Sequence, residues 1–510
     1  MNNACTSHTS SLPLPHFVPG DCSFGDGSSP AAVTPIATSI ERKSFLTSTK
    51  QTRACALNRY TSTTPSCDPR EFPNISLREK TFFNPSPASV GCLESSRPRL
   101  GKTPIMSTDS TPFAAGSLAL GSTAKPKIAW AWFTIPFAFL SSLAVGIVAA
   151  ISFACYGVSL VLAKVPPLRI AYEFLSQTYD RLIARLGAVV LRDPRDAPAL
   201  RLMLSLSLTT VPIFVAQLFF HRPQPLLVVA FYVSLYGSKF HRFIRLFSAK
   251  HLEAHRKYGY FNRRFDKIFG RYFEFFIGYF YGNVPELDRT VHVRLHHKEN
   301  GGFDDTAQSR EYDRSSRADF LRYLANNVGT VLGALPYSYF RERGDELNRK
   351  RLFWGMARYY AFFAAVFIFN WCIGIFYVLI PLLAMNFITA ITAWIQHAFY
   401  DPQRPEDYFA HTVTVLDHIN FMNEGYHLCH HHRAGMHWSE MPEHFDRIRD
   451  KMKDSGSLVF RDLDFMDLFM ELTLLRRMDV LAEKLIPWEP MDRAERLDLL
   501  AKRTGLGAPG

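Results

Sequence analysis

The chain has 510 residues, 47% of them hydrophobic and 14% aromatic, with 43 phenylalanines, a formal charge of +12 and a pI near 9.3. That length would hold two or three ordinary soluble domains, but long apolar runs point instead to one membrane-embedded domain with a tail. Lys and Arg are scattered rather than gathered in one groove-sized patch, so the positive balance is read as flanking of membrane spans and attraction to anionic lipid, not as nucleic-acid binding. Eight cysteines with no Cys-x-x-Cys argue against a thiolate zinc site, and five of them (Cys5, Cys22, Cys55, Cys67, Cys92) lie in the tail.

Residues 1–127 are rich in Ser, Thr and Pro and lack an apolar period, so they are read as a disordered tail. No apolar core near the start supports a cleaved secretory signal, though the composition also fits an organelle transit peptide. Met106 opens a second start-like stretch, and Asn74-Ile-Ser matches a glycosylation acceptor.

The apolar run 128–165 is one long span or a tight hairpin, since one span needs about 20 residues. Residues 166–200 read as an amphipathic segment with Ile170, Phe174, Leu182 and Leu186 on one side and Arg181 and Arg185 nearby. It lies in the membrane interface or packs on the protein's own surface. Residues 202–220 form a span, His221-Arg-Pro-Gln-Pro225 breaks the chain, and 226–247 form the next span. The aromatic stretch 272–281 is a re-entrant piece or a core helix. Residues 357–395 read as a helical hairpin turning near Asn370-Trp371-Cys372-Ile373-Gly374, and 459–503 carry an amphipathic pattern (Phe465, Leu468, Phe469, Leu472, Leu475) that packs on the water-facing domain. The expected fold is an all-α polytopic membrane bundle of about four to six spans with a cytosolic helical cap. The expected division is a tail at 1–127, a membrane domain at 128–445 and a helical extension at 446–510.

Three histidine blocks stand beside these runs: His251-Leu-Glu-Ala-His255, His292-Val-Arg-Leu-His296-His297 and His427-Leu-Cys-His430-His431. They hold eight of the 18 histidines, so chance clustering is a poor account of them. Imidazole is the commonest protein metal ligand and suits iron, zinc, copper and nickel. Four-residue spacing stacks two rings on one helical face. The turns at 221–225 and 370–374 fall on one side of the bilayer and all three blocks on the other, with the many Arg and Lys of 239–356 and 433–503, which makes that side cytosolic. Ligands outside the spans count against the alternative of a metal transporter, which places ionisable groups at the midplane.

The order His-x3-His, His-x3-His-His, His-x2-His-His, with two spans between the second and third blocks, resembles the membrane fatty-acid desaturase and hydroxylase superfamily over roughly residues 200–440. The resemblance implies two non-haem iron ions, O2 as co-substrate and a lipid acyl substrate. Its metal ligands map to His251, His255, His292, His296, His297, His427, His430 and His431. A further ligand at the end of the last span maps by position to His397. Desaturation is the expected reaction, with hydroxylation or ketolation at the same centre as the alternative. No His-Pro-Gly-Gly is present, so electrons are expected from a separate donor, cytochrome b5 or ferredoxin. The endoplasmic reticulum is the expected location and a plastid membrane the alternative.

Residues expected to support the ligands are Asn423, Asp401 and His432. Glu253, Glu299, Asp417 and Glu424 are further carboxylates near the blocks, placed to orient imidazoles through their second nitrogen. His437-Trp438 marks a family branch or an interface anchor. His221, His241, His411 and His444 are read as surface or interfacial residues, and the loop 300–318 as a connector.

Overall fold

The computed structural model describes residues 128–416 and 420–505. The tail at 1–127, with Met106, Asn74, the five tail cysteines, His8 and His16, lies outside the described residues, as do Asp417 and His418.

The architecture is an all-α membrane bundle. Four helical stretches are long and apolar enough to cross a membrane: Trp132–Ala163, Pro194–Leu218, Glu346–Phe369 and Trp371–Gln396. The run after residue 128 is one continuous helix, α1 (Ile128–Ala163), not a hairpin. Trp132, Phe139, Leu143 and Phe153 are exposed along it, as lipid-facing side chains are. Pro166 and Pro167 open α2 (Pro166–Val190), where a missing backbone N–H costs nothing. Its Ile170, Phe174 and Leu182 are exposed, as in an interfacial helix, whereas Ile183, Gly187 and Val190 are buried and Leu186 packs against the core.

After α3 (Ala197–Leu218) comes α4 (Pro225–Tyr236). The expected span over 226–247 is not a single helix. The chain breaks at Gly237, Lys239 and Phe240, all at positive φ, and restarts as α5 (His241–His255). Ser152 of α1 pins the break: its hydroxyl donates to the Gly237 carbonyl and accepts from the Phe240 N–H at 2.8 Å. The 12 residues of α4 reach only about 18 Å, short of the ~30 Å hydrocarbon core.

The stretch 272–281 is a core element, as one of its two expected readings had it. It forms two short helical turns whose Phe273, Ile277 and Tyr281 are buried in the core. Gly282 follows at positive φ, where a Cβ would run into the backbone of Leu382. A π-helical segment, Asp288–His296, carries the second histidine block. Helix α6 (Arg317–Val331) leads to α7 (Glu346–Phe369), and the helix Trp371–Gln396 ends in α8 (Ile380–Gln396). Asn370 is extended (φ −163°) between the two, and its side chain caps the following turn by accepting from the Cys372 and Ile373 N–H groups.

Polar side chains tie the apolar helices together. Asn386 of α8 donates to Ser141 of α1 at 3.1 Å, and Asn327 of α6 donates to the Asn386 carbonyl at 3.0 Å. Asn370 Nδ2 also donates to the His221 carbonyl at 2.6 Å, so the two inter-span turns share one end of the bundle. His397 follows the opposite end of the 26-residue helix that Asn370 opens, about 39 Å away along its axis.

The C-terminal residues pack into this end. Leu468, Phe469 and Leu472 are buried against Ile391 and Trp394, and the Trp394 indole donates to Thr473 at 3.0 Å. Two short parallel strands, β1 (Thr414–Leu416) and β2 (Val459–Arg461), pair in the register Thr414 to Val459.

Candidate metal centre

Three elements deliver the histidines. Helix α5 ends in His251 and His255, four residues apart, and its position is fixed by buried Lys250, which donates to Asn283 at 2.9 Å and pairs with Asp288 at 3.0 Å. The π-helical segment supplies His292 and His296, with His297 next in chain; its backbone bonds span five residues, as in His297 N–H to the His292 carbonyl. Helix α9 (His427–His432) supplies His427, His430 and His431. His397 adds a ninth ring just past α8.

These nine rings form two groups. In the first, His251, His255, His292 and His430 each offer a nitrogen within 4.8 Å of the others. His297 joins it, with its Nε2 3.0 Å from both His292 Nε2 and His430 Nε2. In the second, His296, His397, His427 and His431 converge within the same limit. His397 Nε2 is 3.2 Å from His296 Nε2, and His431 Nε2 is 3.1 Å from His427 Nε2.

The donor chemistry fits a cation in each group. His430 Nε2 faces the Nε2 atoms of His251, His297 and His292 at 2.8, 3.0 and 3.4 Å. One N–H satisfies only one such contact, so lone pairs are left aimed at each other, an arrangement that a bound cation relieves. The buried His255 Nε2 has no hydrogen-bond partner among the described residues. Burial, with neighbouring histidines adding repulsion, pushes His255 and His397 down to about 3 and His251, His292, His297, His427, His430 and His431 below the ordinary imidazole value. Neutral imidazole is the ligating form.

Support for the rings comes from residues the sequence left in a connector. His296 Nδ1 meets Asp305 Oδ2 at 2.5 Å, and His431 Nδ1 meets Asn300 Oδ1 at 3.2 Å. Burial alone would raise the Asp305 carboxyl; His296 and the hydrogen bond between them hold it below its usual value. The loop 300–318 is therefore part of the site. Buried Arg314 anchors it to the Ala398 carbonyl at 3.0 Å, immediately after His397. The only sequence signal was an acid nine residues past His296.

The expected supporting residues have other partners. His432 Nδ1 pairs with His444 Nε2 at 3.0 Å, away from both groups. His427, His430 and His431 share a helical face by their spacing, and His432 lies one step off it. Asp401 accepts from Arg503 at 2.8 Å. Asn423 donates to the Trp438 carbonyl at 2.9 Å and does not cap α9. Glu299 accepts from Tyr339, and buried Glu253 accepts from the Glu274 N–H at 3.0 Å. Glu424 is buried beside Gln396 and Ser248, and burial pushes its carboxyl up to about 7.

His411 and His444 are buried, not surface residues. His437 and Trp438 both reach buried Asp196, at 3.2 and 3.1 Å, so Trp438 is a structural residue and not an interface anchor. Asp196 also takes both terminal nitrogens of Arg256, at 2.5 and 2.8 Å, beside His255.

A half-open cavity reaches the rings, with His251 and His292 of the first group and His296 of the second in its wall. Phe247, Leu287, Val291, Val331 and Ala393 give it apolar sides.

Residues 223–462 match the family model for fatty acid desaturases. No curated protein and no solved structure matches the chain.

Proposed function

We propose, for a chain that belongs through residues 223–462 to the membrane fatty-acid desaturase/hydroxylase superfamily, that it is an O2-dependent non-haem di-iron oxidoreductase inserting a double bond into a lipid acyl chain. The observation that carries this reading is the convergence of nine imidazoles in two adjoining groups beside an apolar cavity. Nitrogen donors of this type suit iron.

In this reading His251, His255, His292, His297 and His430 hold one ion, and His296, His397, His427 and His431 hold the other. Bound iron supplies, with O2 and two external electrons, the oxidising power that an unactivated C–H bond demands. The chain's own residues do the rest. Asp305 and Asn300 fix the orientation of His296 and His431 through their second nitrogens. Phe247, Leu287 and Val291 exclude water and hold the acyl chain against the histidines. The electrons come from a separate donor, cytochrome b5 or ferredoxin. The histidine end faces the cytosol from the endoplasmic reticulum, with a plastid membrane as the alternative.

Two measurements test the reading. Elemental analysis of purified protein should find close to two iron per chain; zinc in their place would overturn it. Lipid profiling of expressing cells should find products lighter by about 2 mass units, whereas a gain of about 16 would assign hydroxylation instead.

A further inference from the structure

An arginine packed among membrane helices is destabilising unless an anion reaches it. Helix α5 carries two such residues. Arg242 and Arg245 are half-buried and three residues apart, so they share one side of the helix. Phe247 and His251 of the same helix line the cavity beside the metal centre. At 3.6 residues per turn the two arginines fall on the opposite side, away from that cavity.

Neither arginine has a carboxylate partner among the described residues. Arg242 donates to the Ser205 hydroxyl at 2.5 Å and to the Thr209 hydroxyl at 3.3 Å. Arg245 lies over the Phe421 ring, 5.3 Å from its centroid, and its Nε is buried with no hydrogen-bond partner. The ionisable groups acting on Arg242 are Tyr179 and Tyr281, and those acting on Arg245 are Arg201 and Tyr172. Arg201 deepens the imbalance. Its partner is Asp180 at 3.0 Å, which leaves one carboxylate among three guanidiniums. Arg201, Ser205 and Thr209 repeat every four residues, so one face of α3 is given over to this cluster.

Depth in the membrane identifies the missing anion. Arg201 stands about 10 Å along the helix from Pro194, where the span begins, at the end of the bundle where Arg256 joins Asp196. That is near the boundary of headgroups and hydrocarbon. Helix α2 borders the cluster there: Arg201 donates to Ser176 at 3.0 Å, and the Tyr179 hydroxyl donates to the Arg201 carbonyl at 3.4 Å. Tyr172, Phe174 and Leu175 of α2 are exposed, as side chains that meet lipid are. We propose that the cluster where α2, α3 and α5 meet binds the phosphate of an anionic phospholipid. Arg242 and Arg245 donate to the phosphate oxygens, Arg201 adds a third positive charge, and the acyl tails lie along the exposed side of α2. The bound lipid neutralises charges that otherwise repel one another. It also clamps α2 to the helix that ends in His251 and His255. The site lies apart from the acyl cavity and is independent of the oxidative reading.

The test uses full-length protein in detergent, supplemented with phosphatidylcholine, phosphatidylglycerol or inorganic phosphate. Thermal unfolding and native mass spectrometry are the readouts. Phosphatidylglycerol should raise the Tm above its value in phosphatidylcholine, and it should stay bound at about one copy per chain with a preference of at least about tenfold. Arg242→Gln and Arg245→Gln should each lower that preference about threefold or more, and together they should abolish it. The single substitutions decide the matter if the double variant does not fold. Arg181→Gln with Arg185→Gln, on the exposed part of α2, should leave the preference unchanged. Equal response to the two phospholipids overturns the proposal, as does a preference that survives the Arg242 and Arg245 substitutions. An equal loss in the Arg181 and Arg185 variant would reduce the effect to general surface charge and overturn the site. A shift reproduced by inorganic phosphate alone would overturn the lipid as its occupant.

Discussion

His296 and Asp305 are nine residues apart in sequence and joined by a 2.5 Å contact between imidazole Nδ1 and carboxylate Oδ2. The contact fixes the tautomer that leaves His296 Nε2 free toward His397. Asp305→Ala should therefore lower iron content or turnover about 10- to 100-fold, and Asp305→Asn by less, because the amide oxygen still accepts. Elemental analysis alongside lipid conversion checks this. Wild-type iron and turnover in Asp305→Ala would remove the residue from the site.

The two groups of rings predict separable losses. His255→Ala and His427→Ala each disturb one group, so each protein should retain about one iron per chain and lose desaturation. His432→Ala should load iron as the wild type does, because its partner is His444. Two iron retained in both of the first variants would contradict the grouping.

Glu274 is fully buried, and burial pushes its carboxyl up to about 8 despite the Arg271 guanidinium beside it. Between 4.5 and about 8 the folded protein therefore holds a proton that the unfolded chain has released. This contribution to stability is complete at low pH and is lost as pH rises through about 8. The Tm in detergent should fall from about pH 6 to about pH 9, and Glu274→Gln should flatten part of that slope. Glu253, raised to about 7 by the same burial, supplies a further part. A slope unchanged by Glu274→Gln would refute the assignment.

Asp196 joins three distant stretches through Arg256, His437 and Trp438. Asp196→Ala leaves the Arg256 charge without its carboxylate and should cost about 3–5 kcal/mol of stability. Adding Arg256→Met should recover part of the loss, since the unpaired charge is then gone too. Thermal unfolding of the single and double variants measures both effects.

The histidine blocks and His397 were legible in the sequence because residue type and helical spacing are local properties. The hairpin turn at Asn370 was legible for a similar reason: an amide able to cap a helix interrupts an apolar run twice the length of one span. Other features needed the folded chain. The break at Gly237–Phe240 interrupts an apolar run, and what pins it is Ser152, 85 residues away. Asp305 and Asn300 looked like loop polars because their partners are brought near by the loop's anchoring through Arg314. His432 pairs with His444, a contact that adjacency in sequence does not reveal because the helix turns at each residue. His411 and His444 are buried by packing that no local pattern encodes.

Two peptide links act as the ruler of the site. His296 and His297 are consecutive, as are His430 and His431, and each pair sends one ring to either cluster. Neighbouring Cα atoms stand a fixed ~3.8 Å apart. The spacing of the two ring clusters is thus constrained by covalent geometry at two places. Side-chain replacement can empty one position or the other.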